Sequence, residues 1–95
     1  MSTTVHCTCR VADYEAFRPG YDKALEVFGE HIRSWRLWRS QDDPNSIVIE
    51  EVFDSREVAE AIWTDPRTTA AMEADGIDMA SVRIEYLDKV GSGPH

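Results

Sequence analysis

Ser46-Ile47-Val48-Ile49-Glu50-Glu51-Val52-Phe53-Asp54-Ser55 (SIVIEEVFDS) decides the fold. Successive side chains of an extended chain point to opposite faces. One face therefore receives Ile47, Ile49, Glu51 and Phe53, and the other receives Val48, Glu50 and Val52. Apolar residues on both sides mark a strand inside a sheet, and each side must then accept one carboxylate. Phe53 and the two isoleucines make the first set the face turned towards helices, which puts Glu51 in the core and Glu50 on the opposite side.

Working outward, the segment before it, SWRLWRSQ (34–41), alternates in the same way, with Trp35, Leu37 and Arg39 opposite Arg36, Trp38 and Ser40. Between the two lies DDPN (42–45), where Pro44 fixes one backbone angle and Asp43 and Asn45 tolerate tight geometry, so the pair reads as a hairpin. Further upstream, TTVHCTCRV (3–11) alternates Val5, Cys7, Cys9 and Val11 against His6, Thr8 and Arg10. A helix follows, capped by Asp13, with Tyr14, Phe17, Tyr21, Ala24, Leu25 and Phe28 inward. Pro19 cannot donate to the carbonyl of Glu15, so a kink or a short first segment is expected, with a stop at Gly29.

Downstream, Asp54 and Glu57 have capping-box spacing before a second helix. Asp65 followed by Pro66 opens another helical segment that ends at Gly76. The last strand is ASVRIEYLDKV (80–90), with Val82, Ile84 and Tyr86 opposite Arg83, Glu85 and Leu87. The order β-α-β-β-α-β is a split βαβ, ferredoxin-like α+β arrangement. Right-handed crossovers place the helices on one face of a four-stranded antiparallel sheet of order 4-1-3-2. Residues 1–90 read as a single domain and 91–95 (GSGPH) as a flexible tail.

The net charge of −8 argues against nucleic acid and anionic membranes, both of which call for a basic face. The amino terminus carries no apolar stretch of signal-peptide length, so the expected location is cytoplasmic. Cys7 and Cys9 share one face of a strand at a spacing that would strain a disulfide, and they read as buried apolar side chains. No metal-ligand set, phosphate loop or nucleotide fingerprint is visible, and neither cofactor nor metal is expected.

The segments VADYEAF, WRSQDDPNSIVI, FDSREVAEAI, DPRTTAAMEADGI and VRIEYLDKV together resemble the dimeric α+β barrel superfamily. Within it they are most similar to small bacterial proteins called antibiotic biosynthesis monooxygenase-like, some of them labelled cyclases. The resemblance runs from about Val5 to Val90 and rests on structural signatures. It implies a homodimer with two sheets face to face and a ligand pocket between sheet and helices. It also implies a choice of activities, including cofactor-independent oxygenation of aromatic phenols and polyketide cyclisation.

Glu51 then stands out, because a carboxyl group in an apolar pocket has its pKa raised towards neutrality, as acid–base catalysis requires. It is the candidate base, with a salt bridge to Arg39 as the plain structural alternative. Trp35, Trp63 and Tyr86 are the candidate wall for a small aromatic ligand. Trp63 is included because aromatic-oxidising members of the superfamily place a tryptophan in a similar helical location. His31 is a weaker candidate base at a pocket mouth. Glu50 is expected to pair with arginines, among Arg10, Arg36 and Arg83, on the dimer-facing side with His6. A non-catalytic ligand-binding protein or a purely structural dimer module is the alternative function.

Overall fold

The computed structural model describes residues 2–94; Met1 and His95, the latter in the expected tail, lie outside the described residues. The elements are β1 (Thr3–Val11), α1 (Tyr14–Phe28), β2 (Ser34–Arg39), β3 (Ser46–Phe53), α2 (Arg56–Trp63), α3 (Pro66–Ala74) and β4 (Ile77–Leu87). The sheet order is β2-β3-β1-β4, with every neighbouring pair antiparallel, which is the expected 4-1-3-2 order.

Strand pairing sorts the side chains into transverse rows. Trp35, Glu51, Val5 and Tyr86 form one row on the helix side. Arg36, Glu50, His6 and Glu85 form the next row, on the other side. Between Thr8 and Arg10 the register with β4 shifts. There the Ser81 hydroxyl accepts the Arg10 amide at 2.8 Å and donates to the Asp78 carbonyl at 2.6 Å, satisfying groups that the irregular ladder leaves free. The irregularity lets β4 begin at Ile77, three residues before the expected start.

Alternation in β1 and β3 builds the core. Val5, Cys7, Cys9, Val11, Ile47, Ile49 and Phe53 are all buried, and Phe17, Tyr21 and Phe28 of α1 cover them together with Ala59, Ile62 and Trp63 of α2. Phe53 and Phe17 are the largest side chains removed from solvent, each contributing about 3 kcal/mol by apolar burial.

Local signals in the sequence explain most helix ends and miss some. Asp13 accepts the Glu15 amide at 3.0 Å, and Asp65 accepts the Arg67 amide at 2.8 Å with Pro66 in the first turn. The capping box expected at Asp54 and Glu57 is displaced by one residue: Ser55 is the N-cap and accepts the Val58 amide. Asp54 is instead engaged by Arg33, whose Nε and Nη2 lie 2.8 and 2.5 Å from its two oxygens. The short first segment expected at Pro19 does not form either, since α1 is assigned as one helix through it. Proline removes one helical bond, to the carbonyl of an exposed residue, while burial of Phe17 and Tyr21 holds both sides of the gap. Gly29 ends α1 with right-handed backbone angles, so its stop does not use the left-handed cap. That conformation appears at Gly76, with φ of 84°, where the chain turns from α3 into β4.

Candidate functional site

Glu51 occupies the middle of β3 and is 5% exposed. The tyrosine seven residues after the start of α1 and the tryptophan that closes α2 meet it from above. Tyr21 donates its hydroxyl to Glu51 Oε2 at 2.5 Å, and Trp63 donates its indole N–H to Oε1 at 2.9 Å. Each carboxylate oxygen therefore keeps one lone pair for another donor.

Burial pushes the Glu51 carboxyl above its ordinary range, and the two hydrogen bonds from Tyr21 and Trp63 only partly oppose this. No cation is among the causes acting on it. Burial, and then the charge of Glu51, hold the Tyr21 phenol above its own ordinary range. Cys7 lies within the field of Glu51, and its thiol is held up by a hydrogen bond with Cys9 and by burial.

A cavity of about 50 Å³ opens above Glu51. Its walls are Phe17, Ala24 and Phe28 from α1, Ile49 from the sheet, and Ala71 and Met72 from α3. Asp75, the residue after α3, reaches the same cavity against Gly20 of α1, where a β-carbon would lie 1.9 Å from an Asp75 carboxyl oxygen. Gly20 thus creates the close approach of α1 and α3, and burial raises the Asp75 carboxyl against the opposing charge of Lys23. That volume suits a few water molecules, whereas a cavity that takes up benzene measures roughly 150 Å³.

Of the four residues singled out in the sequence, Glu51 and Trp63 come together. Trp35 and Tyr86 share the row of Glu51, but neither lines the cavity. Trp35 lies at the edge, its ring 5.7 Å from that of Tyr21 and tilted by 70°, with the Arg18 guanidinium 5.1 Å from its centre. Tyr86 lies under the guanidinium of Arg56 on the far side of the sheet row. Arg39 does not pair with Glu51: its guanidinium stacks on Tyr14 at 4.6 Å and stands 3.9 Å from Glu15. His31 is half-exposed beside Glu30, at 3.4 Å, and away from the cavity lining.

Glu50 takes the opposite face and, within the protomer, accepts the indole N–H of Trp38 at 2.6 Å in place of the expected arginine. Arg10 pairs with Asp43, and Arg83 donates to the carbonyls of Ala80 and Val82. Tyr21 was not singled out as a site residue. Its place on the inner side of α1 follows from periodicity, but the sheet row it meets depends on how the helix crosses the sheet. Among the described residues no three His, Cys, Asp or Glu side chains come together as a metal site, and no helix is long and apolar enough to cross a membrane.

Comparison with known proteins gives a fold. No family model matches the chain, and no curated protein does. Solved structures do match over nearly the whole length. One is described as a candidate antibiotic biosynthesis monooxygenase from Nitrosomonas europaea, with 17% identity, 94% of this chain and 90% of that chain covered, and a TM-score of 0.74. Another is SnoaB of Streptomyces nogalater, described as a cofactor-independent oxygenase, with 16% identity, 99% and 97% covered, and a TM-score of 0.72. A third is a conserved protein of Methanosarcina mazei, with 10% identity, 94% and 93% covered, and a TM-score of 0.74. The chain has the ferredoxin-like α+β fold of the antibiotic biosynthesis monooxygenase group, as its sequence resemblance implies.

Proposed function

We propose that the protein is a cofactor-independent monooxygenase acting on a small aromatic or polyketide-like phenol held between the sheet and the helices. The observation that carries this reading is Glu51, a carboxyl group buried in an apolar cavity and oriented by Tyr21 and Trp63 without a cation. Such a group takes a proton from a phenol more readily than an exposed carboxylate does, because its own conjugate acid is the weaker one. The resulting phenolate gives one electron to O₂. Substrate radical and superoxide combine at the ring carbon opposite the oxygen, and superoxide's distal oxygen takes the proton from Glu51. The hydroperoxide then loses water, with the hydrogen of that ring carbon, to leave a quinone. One phenol and one O₂ give one quinone and one water, so no external reductant enters.

Ligand entry widens the cavity, and α3 is the wall that moves in this reading. It buries none of its side chains fully, unlike α1 and α2. Homodimer formation through the open sheet face belongs to the same proposal. Trp38 is 54% exposed there beside Val48 and Thr8, and a groove of about 840 Å³ runs past Ser34, Glu50, Val52 and Leu87. A second copy of the same face would cover both.

The small cavity favours a second reading, a non-catalytic ligand-binding or structural dimer module. Oxygen uptake with electron-rich naphthols and larger fused phenols separates the two. The oxygenase reading expects one O₂ consumed per quinone formed, with loss of uptake in Glu51→Gln. Absence of uptake and of any phenol-induced change in Trp63 fluorescence would leave the structural reading in its place.

A further inference from the structure

The donor on Glu51 Oε2 is a phenol, and that phenol touches a second aromatic ring that reaches solvent. Tyr21 is 6% exposed, and Trp35 is 41% exposed. Their rings are 5.7 Å apart between centres with no residue between them, while the Tyr21 hydroxyl is 2.5 Å from the carboxylate. We propose that Tyr21 is a redox-active tyrosine, with Glu51 as its proton acceptor and Trp35 as its electron port to the surface.

A phenol that loses an electron becomes a very strong acid, so its oxidation needs a base already aligned on the O–H. An ionised Glu51 is such a base, and a backbone carbonyl is not. Trp63 bonds the other oxygen of the same carboxylate but is buried at 8% exposure, so the solvent-facing ring in contact with Tyr21 is Trp35. Arg18, paired with Asp22, holds its guanidinium 5.1 Å from the Trp35 ring and 5.9 Å from Tyr21. Positive charge there disfavours an indole radical cation and favours loss of its N–H proton to water, giving a neutral radical.

The steps balance for an oxygen-centred organic radical in the cavity as oxidant and ascorbate as reductant. Tyr21 gives the radical an electron, turning it into its anion, and the hydroxyl proton crosses to Glu51. Trp35 then gives an electron to the Tyr21 oxyl, and Glu51 returns the proton. Oxidised Trp35 releases its indole proton to water. Ascorbate restores it with one electron and one proton and leaves as the ascorbyl radical. The path drains radicals from a site whose Glu51 also acts on the buried thiol of Cys7.

The source of the radical rests on the proposed entry of an organic ligand into the cavity, whereas an external oxidant tests the path between Tyr21 and Trp35 without substrate. In a Trp38→Phe, Tyr14→Phe, Tyr86→Phe background, Trp35 is the exposed indole and Tyr21 the one tyrosine. Azide radicals generated by pulse radiolysis oxidise Trp35, and the same ring contact then carries the electron in the reverse sense. The expected result is decay of the indolyl absorbance into a tyrosyl absorbance at a rate independent of protein concentration. Tyr21→Phe, which keeps the packing, should abolish the tyrosyl signal, and Glu51→Gln should slow the conversion on the order of 10²-fold by removing the base. No tyrosyl signal in the folded background protein, or an unchanged rate in Glu51→Gln, would overturn the proposal.

Discussion

Glu50 and Glu51 are adjacent in the chain and live in different solvents. Glu51 faces two aromatic donors, a small cavity and the apolar core, and its carboxyl is pushed up by burial. Glu50 faces a half-open sheet surface and shares its row with Arg36, His6 and Glu85. The difference arises from strand alternation alone: one residue of register decides which carboxylate is buried under the helices and which joins the polar row on the other face. The lesson is that the surroundings of a carboxylate in this fold are assigned by face before they are assigned by residue type.

The largest expected effect that would sharpen this contrast is on turnover. Glu51→Gln should lower oxygenation of a phenol substrate by about 10²–10⁴-fold, and Glu50→Gln should leave the rate per chain unchanged, as measured by oxygen electrode. Equal losses in both variants would break the contrast. Stability comes next. Phe53→Ala, two residues along the helix face, should cost about 3–5 kcal/mol in denaturant unfolding. Trp38→Ala on the open face should change protomer stability by only about 0.5 kcal/mol, while weakening self-association in sedimentation.

A smaller effect concerns pH. The folded carboxyl of Glu51 lies above its unfolded value, so the native state binds the extra proton between the two. Stability contributed by Glu51 is therefore fully present below the unfolded value, about 4.3, and is lost as pH rises through the folded one. Glu51→Gln should remove that loss, so its stability relative to wild type improves from acid to neutral pH in urea titrations. The smallest effect is local. Gly76→Ala forces a side chain into a left-handed turn and should cost about 1 kcal/mol, with no change in either carboxyl.

Much of this arrangement is legible in the sequence, for a physical reason. Alternation with period two in β1 and β3 is strict, so the sheet's share of the core and the face of Glu51 follow from it, while the sheet order follows from the element order and right-handed crossovers. Asp65-Pro66 and Gly76 mark their helix ends because each supplies a geometry that few other residues offer. Competition for partners is what remained hidden. Asp54 could cap α2 or bind Arg33, and Ser55 next to it made the second option available. Arg39 could reach Glu51 or stack on Tyr14, and it takes the ring, its place in the ladder being opposite Ile47, four residues from Glu51. Tyr21 was placed on the right side of α1, yet its bond to Glu51 depends on a helix crossing that no local pattern encodes. Trp35 and Tyr86 share the row of Glu51, but they sit at the sheet edges, outside the space that α1 and α3 enclose.

The central claim is that Glu51 is a buried acid–base group. Its most direct test is the pH titration of the Glu51 carboxyl-carbon resonance, with Glu51→Gln as the assignment control. A midpoint clearly above the ordinary glutamate value of about 4.3 is predicted, moving further when Tyr21→Phe removes one of the two hydrogen bonds. A midpoint at or below about 4.3 would contradict it, making Glu51 a solvated or ion-paired residue with no special role.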